Sequence, residues 1–103
     1  MIRHVVLLNF TEAATPDRRA ALAAAFAALA DRIPQVRALE WGLNASPEGL
    51  DKGFTHCFLV TFDDAAARDA YLPHPAHQAF VERLGPSLDD VLVIDYTPQV
   101  AAR

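Results

Sequence analysis

Residues 54–62, Phe-Thr-His-Cys-Phe-Leu-Val-Thr-Phe, constrain this chain more than any other stretch. Phe54, His56, Phe58, Val60 and Phe62 share one parity, and Thr55, Cys57, Leu59 and Thr61 share the other, the alternation of a β-strand. Residues 2–10 repeat the pattern more loosely. Ile2, His4, Val6, Leu8 and Phe10 lie on one side, while Val5 and Leu7 make the other side apolar as well. A strand that is apolar on both faces is normally covered on both. A chain of 103 residues has helices enough to cover one.

The remaining elements fix the topology. Thr15-Pro16-Asp17 supplies an N-cap hydroxyl, a proline at the first helical position and an acid in the first turn, which together start a helix. Leu22, Phe26, Leu29 and Ile33 then recur as one apolar stripe until Pro34 ends it. Residues 36–45 read as a strand with Leu39, Trp41 and Leu43 on one face, and the proline- and glycine-containing run 46–53 reads as a loop. Asp63 and Asp64 open a second helix that the prolines at 73 and 75 interrupt, with a further helical segment to Leu84. Residues 90–97 are the last strand.

The order β-α-β-β-α-β predicts an α+β, ferredoxin-like fold with a four-stranded antiparallel sheet, the first and third strands at its centre. The face carrying Ile2, Val6, Leu8, Phe10, Phe54, Phe58, Val60 and Phe62 is the greasier and is placed beneath the helices. The reverse face is assigned Val5, Leu7, Leu39, Trp41, Leu43, Cys57, Leu59, Leu92, Ile94 and Tyr96. Left in water, that is a larger apolar patch than monomers tolerate. At about 25 cal/mol per Å² of apolar area, covering a few hundred Å² is worth several kcal/mol. A second copy is the simplest cover, so a sheet-to-sheet homodimer is expected.

Composition excludes several classes of partner. The net charge is −4, with Lys52 the only lysine and the eight arginines scattered, so no basic stripe exists for nucleic acid or an anionic membrane. The single cysteine, Cys57, leaves no internal disulfide and fits a reducing compartment. No run is long enough to span a bilayer. One domain over residues 1–103, located in the cytoplasm, is the expectation.

Candidate chemistry concentrates in Tyr71-Leu72-Pro73-His74-Pro75-Ala76-His77. The proline at 75 places His74 near an N-cap and His77 in the first helical turn. There the positive end of the helix dipole disfavours imidazolium, leaving His77 neutral and able to accept a proton. His4 and His56 share the inward parity of their strands. The broken helix therefore carries Tyr71, His74 or His77 over them, and buried polar groups need partners, from the protein or from a ligand. A His–Tyr acid/base pair acting on a small carbonyl compound is one reading; a ligand pocket without chemistry is another. No HxH, HxxxH or CxxC spacing supports a metal. Cys57 faces away from His56, and no GxSxG, P-loop or GxGxxG motif occurs. Neither a metal nor a cofactor is expected.

Ile2-Arg3-His4-Val5-Val6, Trp41-Gly42, Asn44 through Leu50, Gly53-Phe54-Thr55-His56, Tyr71 through His77 and Asp95-Tyr96 together resemble the stress-responsive A/B-barrel (Dabb) domain across nearly the whole chain. The resemblance implies a ferredoxin-like protomer that dimerises through its sheets into an α+β barrel. Plant members of that family are stress-associated, and one is a cofactor-free polyketide cyclase. Its catalytic tyrosine and histidine match Tyr71 and His77, and its other pocket histidines match His4 and His56. By that resemblance His77 abstracts a proton between two carbonyls, Tyr71 hydrogen-bonds the enolate, and His4 and His56 line the substrate pocket, to which the broken helix adds His74 as a further candidate. Cyclase- or isomerase-like chemistry on a small carbonyl or phenolic compound is the implied activity. The alternative is a stress-associated or small-ligand-binding dimer without turnover.

Overall fold

The computed structural model describes residues 1–101. Strands β1 (Ile2–Phe10), β2 (Ala38–Leu43), β3 (His56–Phe62) and β4 (Leu88–Tyr96) form one antiparallel sheet in the order β2-β3-β1-β4. The first and third strands are thus the central pair, as expected. Four helical segments connect them: α1 (Pro16–Ala27), α2 (Leu29–Arg32), α3 (Ala65–Tyr71) and α4 (Pro75–Leu84), the last running into a 3₁₀ turn at Gly85–Ser87.

Local chemistry sets the helix ends. Thr15 Oγ1 accepts the Arg18 N–H at 3.1 Å, and Pro16 occupies the first helical position, where it gives up no bond. The expected single helix is divided at Ala28, and Ile33 is already extended. Leu22, Phe26, Leu29 and Ile33 are nonetheless all buried. Phe26 stacks on Phe58 of β3 with ring centroids 4.1 Å apart and meets Phe80 of α4 at 5.0 Å. Those three rings tie α1 and α4 to the sheet. His4, Val6, Leu8, Phe10, Phe58, Val60 and Phe62 are buried beneath them, the side expected from their parity.

The assignment of β2 is corrected. Leu39 pairs with Val60, Trp41 with Phe58 and Leu43 with His56, and residues directly opposite across a ladder point to the same face. All three are therefore on the helix side, where the Trp41 ring stacks on Phe58 at 5.4 Å. Alternation within an edge strand tells which residues go together, not which set turns inward. Pairing register decides that. The reverse face of β2 carries Ala38, Glu40 and Gly42 instead. Around it, Val5, Leu7, Cys57 and Leu59 are half-buried, and Leu92, Ile94 and Tyr96 are exposed. No helix among the described residues is long and apolar enough to cross a membrane.

Candidate functional site

The break between α3 and α4 builds the site. Asp64 Oδ1 caps α3 by accepting the Ala67 N–H at 2.8 Å. Tyr71 is its last residue, and Pro75 starts the next segment, with His74 as N-cap. His74 Nδ1 accepts the Ala76 N–H at 3.0 Å. Its Nδ1 is therefore bare, and the ring is committed to holding the helix end. His77 follows within the first turn, as the proline spacing predicts.

His77 Nδ1 lies 2.8 Å from the Leu72 carbonyl oxygen. A carbonyl can only accept, so Nδ1 carries the proton, and the lone pair of the neutral ring belongs to Nε2. Burial depresses the tendency of His77 to protonate; its bond to the Leu72 carbonyl opposes this, and the nearby His4 and His74 rings reinforce it. Desolvation leads here rather than the helix dipole.

Tyr71 packs against that ring with centroids 4.5 Å apart and is fully buried. Burial pushes its phenol well above the ordinary range, so the hydroxyl keeps its proton at neutral pH and is available as a donor. Its oxygen has no hydrogen-bond partner among the protein's own groups. An unpaired buried hydroxyl costs about 1–3 kcal/mol, and an orphan of this kind is most at home where a ligand supplies the partner.

His4 reaches the same cluster from β1, its ring centroid 6.0 Å from that of Tyr71. His4 Nδ1 sits 2.6 Å from Asp95 Oδ1, and Arg68 donates to Asp95 Oδ2 at 2.9 Å. Asp95 is the β4 residue directly opposite His4. Burial alone would raise the Asp95 carboxyl, but the bonds from Arg68 and His4 outweigh it and hold it below its ordinary value. An ionised Asp95 accepts the Nδ1–H of His4 and fixes the orientation of its ring. Two imidazoles thus flank Tyr71, each tied through Nδ1. Asp95 and Arg68 were not among the expected site residues. Their signal was present in Asp95, which shares the inward parity of Val91 and Val93 yet carries a charge.

His56 lies elsewhere, which corrects the expected convergence of all four histidines. It pairs with Leu8, four residues from His4 along β1, a separation of roughly 14 Å at 3.4 Å per residue. The buried pair Val6 and Phe58 lies between them on the inward face. His56 packs edge-on to Phe10 at 5.0 Å and parallel to Trp41 at 6.0 Å. Burial and the Arg19 charge lower its tendency to protonate. The inward parity is legible in the sequence; parity says nothing of how far apart two residues lie along paired strands. No group of three His, Cys, Asp or Glu side chains among the described residues is arranged to hold a metal ion.

Fold and site together define a ferredoxin-like α+β protein with a tyrosine–histidine cluster under a broken helix. The chain matches the Stress responsive A/B Barrel Domain family over residues 2–98 and belongs to it. It is 39% identical to the stress-response A/B barrel domain-containing protein HS1 of Arabidopsis thaliana, over 94% of this chain and 89% of that one. A crystal structure from Arabidopsis thaliana superposes with a TM-score of 0.94 at 37% identity, covering all of both chains. Olivetolic acid cyclase of Cannabis sativa is 26% identical over 95% of this chain and 97% of its own length. Among solved structures, a dimeric ferredoxin-like protein of Jannaschia sp. matches with a TM-score of 0.81 at 31% identity, over 94% and 98% of the two chains.

Proposed function

We propose that this protein is a homodimer that carries out cofactor-free proton transfer on a small carbonyl or phenolic compound at the Tyr71–His77–His4 cluster. The carrying observation is the buried Tyr71 hydroxyl without a partner, packed on a histidine whose Nδ1–H is tied to the Leu72 carbonyl. His77 Nε2 takes a proton from a carbon flanked by carbonyls. Tyr71 donates a hydrogen bond to the enolate oxygen, and His4, oriented by Asp95, is placed to relay the proton onward. General-base steps of this kind contribute about 10²–10⁴-fold, with an oriented donor to the oxyanion adding to that. His74 shapes the substrate's entrance while capping α4. His56 stands outside the reacting group and touches only a ligand long enough to extend along the inward face. The similarity to a cyclase supports this class of chemistry, and the dimeric relatives support the homodimer.

The test is exchange of the acidic C–H of a 1,3-diketone in D₂O, followed by proton NMR. Wild-type protein is expected to accelerate it, His77→Ala to abolish the acceleration, and Tyr71→Phe to reduce it. Equal exchange with and without His77 removes the proposed base. One observation favours a second reading: Tyr71 is fully buried against His77, and rings closed on each other in this way fit a stress-associated or small-ligand-binding dimer without turnover. Saturable diketone binding with no exchange establishes that reading in place of the first.

A further inference from the structure

Two anchors of the site sit at the end of α3, and one polar side chain ties that end to the sheet. Tyr71 is the last residue of the helix. Leu72, one residue on, supplies the carbonyl that holds His77 Nδ1 at 2.8 Å. The Leu72 N–H in turn donates to the Arg68 carbonyl oxygen at 3.1 Å. The Arg68 side chain leaves the same turn, three residues before Tyr71 and so on the same side of the helix. Its Nη1 donates to Asp95 Oδ2 of β4 at 2.9 Å, while Asp95 Oδ1 lies 2.6 Å from His4 Nδ1. Among the described residues, no other side chain of α3 hydrogen-bonds to a strand.

The tie carries weight because α3 does not hold its own position. Seven residues are too few for a helix to be stable in water, so its place is set by what it is fastened to. The Asp64 cap fastens its start, and Tyr71 packs on Phe62 of β3 with ring centroids 5.0 Å apart. Arg68 adds a bond of fixed direction to β4. Neither end of that bond is loose. Arg68 Nε donates to Asp69 Oδ1 at 3.1 Å, and the Arg68 and Asp95 side chains are only 24% and 23% exposed. Asp95 has both oxygens engaged in charge-assisted bonds, the stronger kind, so its carboxylate cannot turn without giving up a partner. A displacement of Arg68 therefore reaches the His4 ring, the Tyr71 hydroxyl and the carbonyl that anchors His77 together.

We propose that Arg68 is a positioning residue: acting through Asp95, it sets the end of α3 against His4 and so fixes the spacing of Tyr71, His77 and His4. Its effect on rate rests on the proton-transfer reading above, and the experiment separates the two. Arg68→Met keeps the length of the side chain and removes the bridge. Its kcat for 1,3-diketone exchange in D₂O is expected to fall by about ten- to a hundredfold, with KM little changed, the signature of lost transition-state geometry. One N–H alone spans to Asp95, so Arg68→Lys should recover most of the loss. Arg68→Met combined with Asp95→Asn should be no slower than Asp95→Asn alone, because members of one network do not add. In the free protein, the proton of the short His4–Asp95 bond is expected far downfield by NMR, absent in His4→Gln, and displaced or broadened in Arg68→Met. Arg68→Gln, also a good helix former, stands in should the methionine variant fail to fold by circular dichroism. An unchanged kcat, no recovery with lysine, or losses that multiply in the double variant overturns the positioning role. If wild-type protein leaves the exchange unchanged, the proton-transfer reading falls and the resonance decides alone. A displaced signal then upholds Arg68 as positioning a ligand-holding site, and an unmoved one overturns it.

Discussion

Tyr71 sets packing against hydrogen bonding. Its ring is buried in the core while its oxygen is unpaired, a combination that stability alone does not favour. Tyr71→Phe keeps the ring and deletes the orphan, so folding is expected to strengthen, by about 1 kcal/mol. For a domain of this size that is roughly 4–8 °C in melting temperature. Proton exchange should fall in the same variant, the exchange of stability for function common at active sites. A lower melting temperature would mean that the hydroxyl has a partner. His77 makes a second prediction. Burial holds its ring neutral below the ~6.5 of free imidazole. As pH falls, the unfolded chain takes up that proton first, so this contribution to stability is intact above about 6.5 and is lost as pH drops through the folded value. The acid limb of the exchange rate is accordingly expected below pH 6.5, and His77→Ala should remove it. Parity alone made His4 legible as an inward residue. The Arg68–Asp95 bridge that orients it joins α3 to β4, a pairing that no local pattern in the chain expresses.

At the scale of elements, proline punctuation was the most readable signal, because it acts through covalent geometry rather than through neighbours. The interruption between α3 and α4 falls where the prolines at 73 and 75 put it, and His74 takes the N-cap as that spacing requires. The division of the first helix at Ala28 could not be read. Its alanine-rich surroundings favour helix throughout, and the apolar stripe continues unbroken across the joint. β2 failed for a different reason: an edge strand with one apolar parity fits either face until its partner sets the register. The cap itself can be tested. His74→Ala removes the acceptor for the Ala76 N–H and is expected to cost about 1 kcal/mol, read as a lower urea midpoint with an unchanged slope. His74→Asn retains a capping oxygen and should recover most of the loss. If both variants match wild type, the start of α4 is held by Pro75 and packing, not by the imidazole.

For the whole molecule, the proposed homodimer assigns folding to one face of the sheet and association to the other, and the corrected position of Trp41 makes that separation measurable. Leu59 lies in the central row of the reverse face, between Glu40 and Val5, and Trp41 lies on the inward face against Phe58. A glutamate at 59 stays solvated in a monomer but is buried without a partner in a sheet-to-sheet dimer, a penalty of about 3–5 kcal/mol. That corresponds to a loss of association of roughly 10²–10³-fold or more. Sedimentation velocity at micromolar concentration should then show Leu59→Glu as a folded monomer. Trp41→Glu strips a half-exposed ring from the core side, so it should lower folding stability by roughly 1–2 kcal/mol and leave the dimer intact. The opposite pattern, with Trp41→Glu dissociating and Leu59→Glu remaining dimeric, would place the partner on the helix side of β2.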